Sequence, residues 1–210
     1  MYRPRLYRED RTDVLWDFID ARGFASLVTL GEGGLHASHL PLLLERDAGP
    51  MGTLAGHMAR PNPQWRDIPG TVEALAIFEG CDHYISPGWY PSKARDGRVV
   101  PTWNYMAVHA YGRLERVDDP AALHAHVAAL SDRHEAGRGQ PWSVDDAPDD
   151  YVAAQLRGIV GFRMTITRLE GAWKLGQNRR PEDRAGAIEG LKADGGEAAR
   201  TVAQRMSDTD

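Results

Sequence analysis

Apolar positions recur along this chain with two different periods, and the switches between them set the expected elements. Val14, Leu15, Phe18 and Ile19 share one helical face, with Asp10 placed to cap the helix and Gly23 to stop it. From Phe24 to Leu30 the residues are strand-like. Glu32-Gly33-Gly34 then supplies a turn, and Leu35 to Leu44 reads as the returning strand of a hairpin. A third strand is expected over Met51 to Met58. A fourth, Val72 to Phe78, follows the Pro-punctuated stretch Arg60-Pro61-Asn62-Pro63-Gln64-Trp65. Two further strand-like regions run from Val99 to Leu114 and from Ile159 to Leu169. Between them, Pro120 to Arg133 has the Ala, Leu and His content of a helix, and Asp149 to Leu156 makes a shorter one. These strand runs are short, turn-punctuated and lack β-α-β alternation, which predicts a mainly β, α+β protein with an antiparallel barrel and peripheral helices.

Composition narrows the picture. With 210 residues, 42% of them hydrophobic, the chain can bury one substantial core. Residues 1–178 are expected to form that domain. Residues 179–210 are Gly- and charge-rich with few large apolar side chains, so they read as a C-terminal extension, partly helical or flexible. A formal net charge of −5 gives no overall attraction for nucleic acid or anionic membrane, so any phosphate must meet a local site. Cys81 is the only cysteine, which excludes an intramolecular disulfide and cysteine-based metal sites and fits a reducing cytoplasm. Met1-Tyr2-Arg3-Pro4-Arg5 leads into a charged stretch. No apolar run approaches the roughly 20 residues of a membrane helix, so a soluble, unprocessed protein is expected.

Unusual residues concentrate in Tyr84-Ile85-Ser86-Pro87-Gly88-Trp89-Tyr90 and Val100-Pro101-Thr102-Trp103-Asn104-Tyr105. Such a cluster suits a flat heteroaromatic ligand, because rings stack on its faces while Asn and Thr bond its edge; a core aromatic cluster is the alternative. In Gly56-His57-Met58-Ala59-Arg60-Pro61-Asn62, Arg60 could grip a phosphate bidentately with His57 adding a second donor, unless it is an ordinary solvated arginine. Gly171 to Arg179 gathers an indole, two amides with Gln177 among them and the cation of Lys174, or is simply a strand end with exposed Lys174 and Arg179. Other candidates fall away. His36 and His39 lie three apart in a strand and point to opposite faces, and His124 and His126 diverge by about 200° on a helix. No dinucleotide-binding or Walker glycine loop occurs, nor a Ser-centred nucleophile elbow.

Taken in order, several segments resemble the PaiB-like family of FMN-binding negative transcriptional regulators, related in fold to pyridoxamine-phosphate-oxidase-type proteins. They are Met1-Tyr2-Arg3-Pro4, His39-Leu40-Pro41-Leu42, Gly56 to Trp65, Tyr84-Ile85-Ser86-Pro87, Trp89-Tyr90-Pro91, Val100 to Tyr105 and Trp173 to Asn178. The resemblance implies an antiparallel split β-barrel with peripheral helices, an FMN cofactor and a homodimer with the flavin bound across its interface. It also implies that Arg60 holds the phosphate with help from His57 and Asn62. Thr102, Trp103, Asn104 and Tyr105 then meet the ribityl chain and ring, and Lys174 and Gln177 come from either subunit.

Three functions remain open on these residues. A flavin-responsive regulator acting on DNA follows from the resemblance alone, since the tail from Arg179 carries six basic against seven acidic residues and is no basic arm. A flavin-dependent oxidoreductase or flavin reductase would need only a substrate held over the cofactor. A module that binds or senses FMN or haem could use His39 or His109 as an axial ligand.

Overall fold

The computed structural model describes residues 1–68 and 72–209. In chain order the elements are β1 (Arg8–Glu9), α1 (Thr12–Arg22), β2 (Phe24–Gly31), β3 (Gly34–Pro41), β4 (Leu43–Glu45), β5 (Thr53–Ala59) and β6 (Ala74–Ile85). There follow α2 (Ser92–Asp96), β7 (Thr102–Val117), α3 (Pro120–Glu135), α4 (Asp149–Arg157), β8 (Ile159–Lys174), α5 (Pro181–Asp194) and α6 (Glu197–Ser207). The strands form one antiparallel sheet ordered β3-β2-β6-β7-β8-β5-β4, with β1 added against β8, and the sheet does not close. This is the antiparallel split barrel with peripheral helices that the sequence implies.

All six expected strands are present as the long ones. The expected returning strand Leu35 to Leu44 is split at Leu42 into β3 and the three-residue β4, and β1, two residues long, is an addition too short to show a period. Both β6 and β8 outrun their expected ends. Past Phe78 the residues Glu79 to His83 include no large apolar side chain, yet ladder hydrogen bonds need none and the strand continues to Ile85. In β8 the buried positions Val160, Phe162, Met164 and Ile166 alternate cleanly. Thr167 and Arg168 are both exposed, and burial resumes at Leu169, so the alternation shifts phase in mid-strand.

Two compact units make up the chain. One comprises Met1–Leu15, Glu79–Val108 and Glu170–Asp210, and the other Trp16–Phe78 and His109–Leu169. The second unit is centred on Leu27, Leu54, Phe78, Phe162 and Met164, none of them more than 1% exposed. Inside it β2 hairpins onto β3, and Ala25, Leu27 and Thr29 point inward at strand spacing.

In the first unit the Gly- and charge-rich C-terminal segment folds as the helix pair α5 and α6. Its buried face is built from Ala187, Leu191, Ala199, Val202, Ala203 and Met206. Mostly small residues make a weak apolar signal in sequence, but they let helices approach closely. The buried Asp183 carboxylate ties α5 to α2 by accepting from Ser92 N at 3.0 Å and Ser92 Oγ at 2.8 Å. Two glycines a helical turn apart let α5 lie against the turn at Pro87–Trp89. A Cβ on Gly190 would stand 2.2 Å from Trp89 Cγ, and one on Gly186 2.2 Å from Trp89 O. Gly190→Ala is therefore expected to destabilise the protein, because overpacking costs about 1–3 kcal/mol while the gain in helix propensity is only about 1. Thermal unfolding checks this, and an unchanged or raised Tm would refute it.

Candidate functional site

In the first unit, β7 divides its residues between two faces. Asn104, Met106 and Val108 are buried, whereas Trp103 and Tyr105 project to the other side. Trp103 is 55% exposed and meets Tyr84, itself 41% exposed, edge to face at 6.3 Å. On the inner face, Lys174 Nζ at the end of β8 donates to Thr102 Oγ1 at 2.6 Å. Burial, and then the neighbouring Arg179, hold this ammonium below the usual lysine range. The Arg179 guanidinium lies 4.8 Å above the Tyr90 ring, and burial pushes the Tyr90 and Tyr7 phenols up so that both keep their protons. Neither Lys174 nor Arg179 has a carboxylate partner among the described residues.

The turn that carries these cations is braced by Gln177. Its Oε1 accepts from Leu175 N at 2.8 Å and its Nε2 donates to Trp173 O at 2.6 Å. Asn104 spends its Nδ2 on the weak acceptor Met206 Sδ at 3.3 Å. The recess enclosed with Thr102, Asn104, Lys174 and Arg179 measures about 30 Å³, room for a small anion or a water but not for an aromatic ring. Two cations without a carboxylate partner beside a hydroxyl and an amide give this recess the donors an anion would need.

His57, Arg60 and Asn62 belong to the second unit, where each already has local work. Arg60 Nε and Nη2 donate to the carbonyls of Arg157 and Ile159 at 2.8 and 2.9 Å, closing the C-terminal end of α4. Asn62 accepts from Gln64 N at 3.0 Å, capping the turn at Pro63–Asp67, and donates to Ser38 Oγ at 2.8 Å. That turn delivers the buried Gln64, whose Nε2 donates to Leu27 O at 3.0 Å and Thr29 Oγ1 at 3.1 Å.

His57 Nδ1 lies 3.1 Å from His126 Nε2. Burial lowers both imidazoles, His126 to about 4 against an ordinary 6.5, with the His57 ring and Arg163 lowering it further and Glu45 opposing them. Because the folded chain then binds fewer protons than the unfolded one, stability is expected to fall as the pH drops from 6.5 toward 4. Urea midpoints compared at about pH 7 and about pH 5 check this, and His126→Gln should flatten the decline.

Arg179, Tyr90 and His126 were not singled out as site residues from sequence. Arg179 had a usable signal, standing two positions from Gln177 in the same polar turn. His126 had none, since its partner is 69 residues away.

An open antiparallel sheet bordered by helices, with a cationic recess at one strand end, marks a split-barrel protein. The chain belongs to the "Putative FMN-binding domain" family, whose model matches residues 1–168. It is 32% identical over 208 residues to the "Protease synthase and sporulation protein PAI 2" of Bacillus subtilis (strain 168), covering 99% of this chain and 97% of that protein. The "FAD and Heme binding protein from Mycobacterium smegmatis" shares the fold with a TM-score of 0.58 at 15% identity, over 91% of this chain and 81% of that one. The "Flavocytochrome Anf3 from Azotobacter vinelandii" does so with a TM-score of 0.56 at 14% identity, over 80% and 69%.

Proposed function

We propose that this FMN-binding protein holds the cofactor's phosphate on Lys174, Arg179 and Thr102, works as a cytoplasmic homodimer and serves as a flavin-responsive regulator of the PaiB type. The observation that carries the site is the pair of cations without a carboxylate partner. A phosphate dianion supplies the missing charge, and a charge-assisted bond to each cation stabilises it. The donor set fits the group, with two cations and a hydroxyl for the phosphate and the exposed Trp103 and Tyr84 rings for a flat heterocycle. When bound, FMN supplies hydride and electron transfer. The chain's own part is to anchor and orient, with Gln177 fixing the turn and Asn104 the recess wall.

The recess admits the phosphate but no ring, so the flavin must lie against an exposed surface. Trp103, Tyr84 and Val100, 55%, 41% and 63% exposed, offer an apolar surface in the first unit, and a second copy that covers it would also enclose the ring. Among the described residues no helix is long and apolar enough to cross a membrane. The regulatory role rests on the likeness to the Bacillus protein across nearly its whole length.

Absorption of the purified protein is expected to show oxidised flavin bands near about 370 and 450 nm, or to acquire them on adding FMN. Light scattering is expected to return a dimer mass at micromolar concentration, falling to a monomer in Trp103→Asp. A wild-type monomer would sink the shared site. Gel-shift binding to promoter DNA that responds to FMN supports the regulator, whereas rapid NADH- or NADPH-driven flavin reduction without DNA binding would make the protein a reductase.

A further inference from the structure

The second unit contains a cavity of about 270 Å³ between α3, α4 and the start of β8. Its walls are aliphatic, Val127, Val152 and Leu156 among them, and no charged side chain lines it. The polar groups are the His57 imidazole, the Ser131 hydroxyl and the Gln155 amide. Trp142 and Tyr151, 48% and 57% exposed, supply aromatic surface at the rim.

What His57 offers this cavity follows from its other nitrogen. His57 Nδ1 is engaged by His126 Nε2 at 3.1 Å, the rings meeting edge to face with centroids 5.2 Å apart. Burial keeps both imidazoles neutral near pH 7, so each carries one ring proton and one proton sits in the bridge. His126 Nδ1 is buried without a hydrogen-bond partner. Leaving a lone pair bare costs less than orphaning an N–H, so His126 is protonated at Nε2 and donates to His57 Nδ1. His57 therefore carries its own proton on Nε2, the nitrogen left for the cavity, and acts there as a hydrogen-bond donor.

We propose that this cavity is a second ligand site, for a small neutral aromatic carbonyl compound of one or two rings whose oxygen accepts from His57 Nε2. Size sets the upper bound. An apolar cavity of about 150 Å³ takes benzene, and drug-sized ligands occupy upward of about 300 Å³, so a substituted ring fits here and a complete FMN does not. The uncharged lining rejects a carboxylate, because nothing in it would repay the desolvation. Trp142 and Tyr151 favour a ring over an aliphatic chain.

Calorimetric titration of the full-length protein with acetophenone, ethylbenzene and benzoate tests the assignment. Acetophenone is expected to bind, ethylbenzene to bind about tenfold more weakly for want of one hydrogen bond, and benzoate not to bind. His57→Phe should bring acetophenone down to the affinity of ethylbenzene. Ala147→Trp, which fills the cavity from a half-exposed position, should abolish acetophenone binding and leave the FMN titration as in the wild type. Histidine ¹⁵N spectra should show His57 protonated at Nε2 and shifted by acetophenone. Equal affinity for acetophenone and ethylbenzene, undiminished binding by Ala147→Trp, or no acetophenone binding at millimolar concentration would overturn the proposal.

Discussion

Replacing Lys174 by methionine is expected to weaken FMN binding by about ten- to a hundredfold while leaving the fold intact. A hydrogen bond between an ammonium and a phosphate contributes about 1.5–3 kcal/mol, and methionine keeps most of the apolar stem. The free protein loses little, because the ammonium is already disfavoured by burial and by Arg179, and only the Thr102 hydroxyl is left without its donor. Arg179→Leu should act in the same direction. Arg60→Ala is the contrast. Its guanidinium is spent on the Arg157 and Ile159 carbonyls, so the expected loss is about 1 kcal/mol of stability around α4 with FMN affinity nearly unchanged. Flavin fluorescence titration of the three variants decides the matter. If Arg60→Ala loses as much affinity as Lys174→Met, the phosphate belongs on Arg60, as the family resemblance implies, and the Lys174 assignment fails.

Phe162→Ala is expected to cost about 3–5 kcal/mol, a large part of the roughly 5–15 kcal/mol that separates a folded domain from its unfolded chain. Phe162 is 1% exposed and pairs across the sheet with Gly56, so its ring covers a position that has no side chain of its own. It also walls a cavity of about 260 Å³ beneath α3, which truncation would enlarge. Urea unfolding should show a lower midpoint at unchanged m-value. A loss below about 1.5 kcal/mol would mean that the surroundings collapse onto the vacated space.

How much could be read from the sequence depended on the range of each interaction. The six long strands were legible because a period of two survives in residues such as Ala25, Leu27 and Thr29 or Val160, Phe162 and Met164. The run of β6 through Glu79 to His83 was not, since it has no large apolar residue to carry such a period. Thr102 and Lys174 could be singled out because each stands in a locally dense polar and aromatic stretch. Arg60 shows the converse, for nothing near it in sequence reveals that carbonyls 97 and 99 residues further on take up its donors. The His57–His126 bridge was hidden for the same reason. The C-terminal extension reads only as partly helical or flexible, and its packing as the pair α5 and α6 is hidden because half of the buried face is alanine, whose apolar signal is faint.

The contact between α5 and Trp89 also bears on how this chain can drift. Every glycine codon begins with two guanines, so each single-base missense change replaces Gly186 or Gly190 with a residue that carries at least a β-carbon. At both positions that carbon would fall 2.2 Å from atoms of Trp89. Natural variation at these two codons should therefore be nearly all synonymous, whereas the neighbouring exposed Glu189 and Lys192 should change freely.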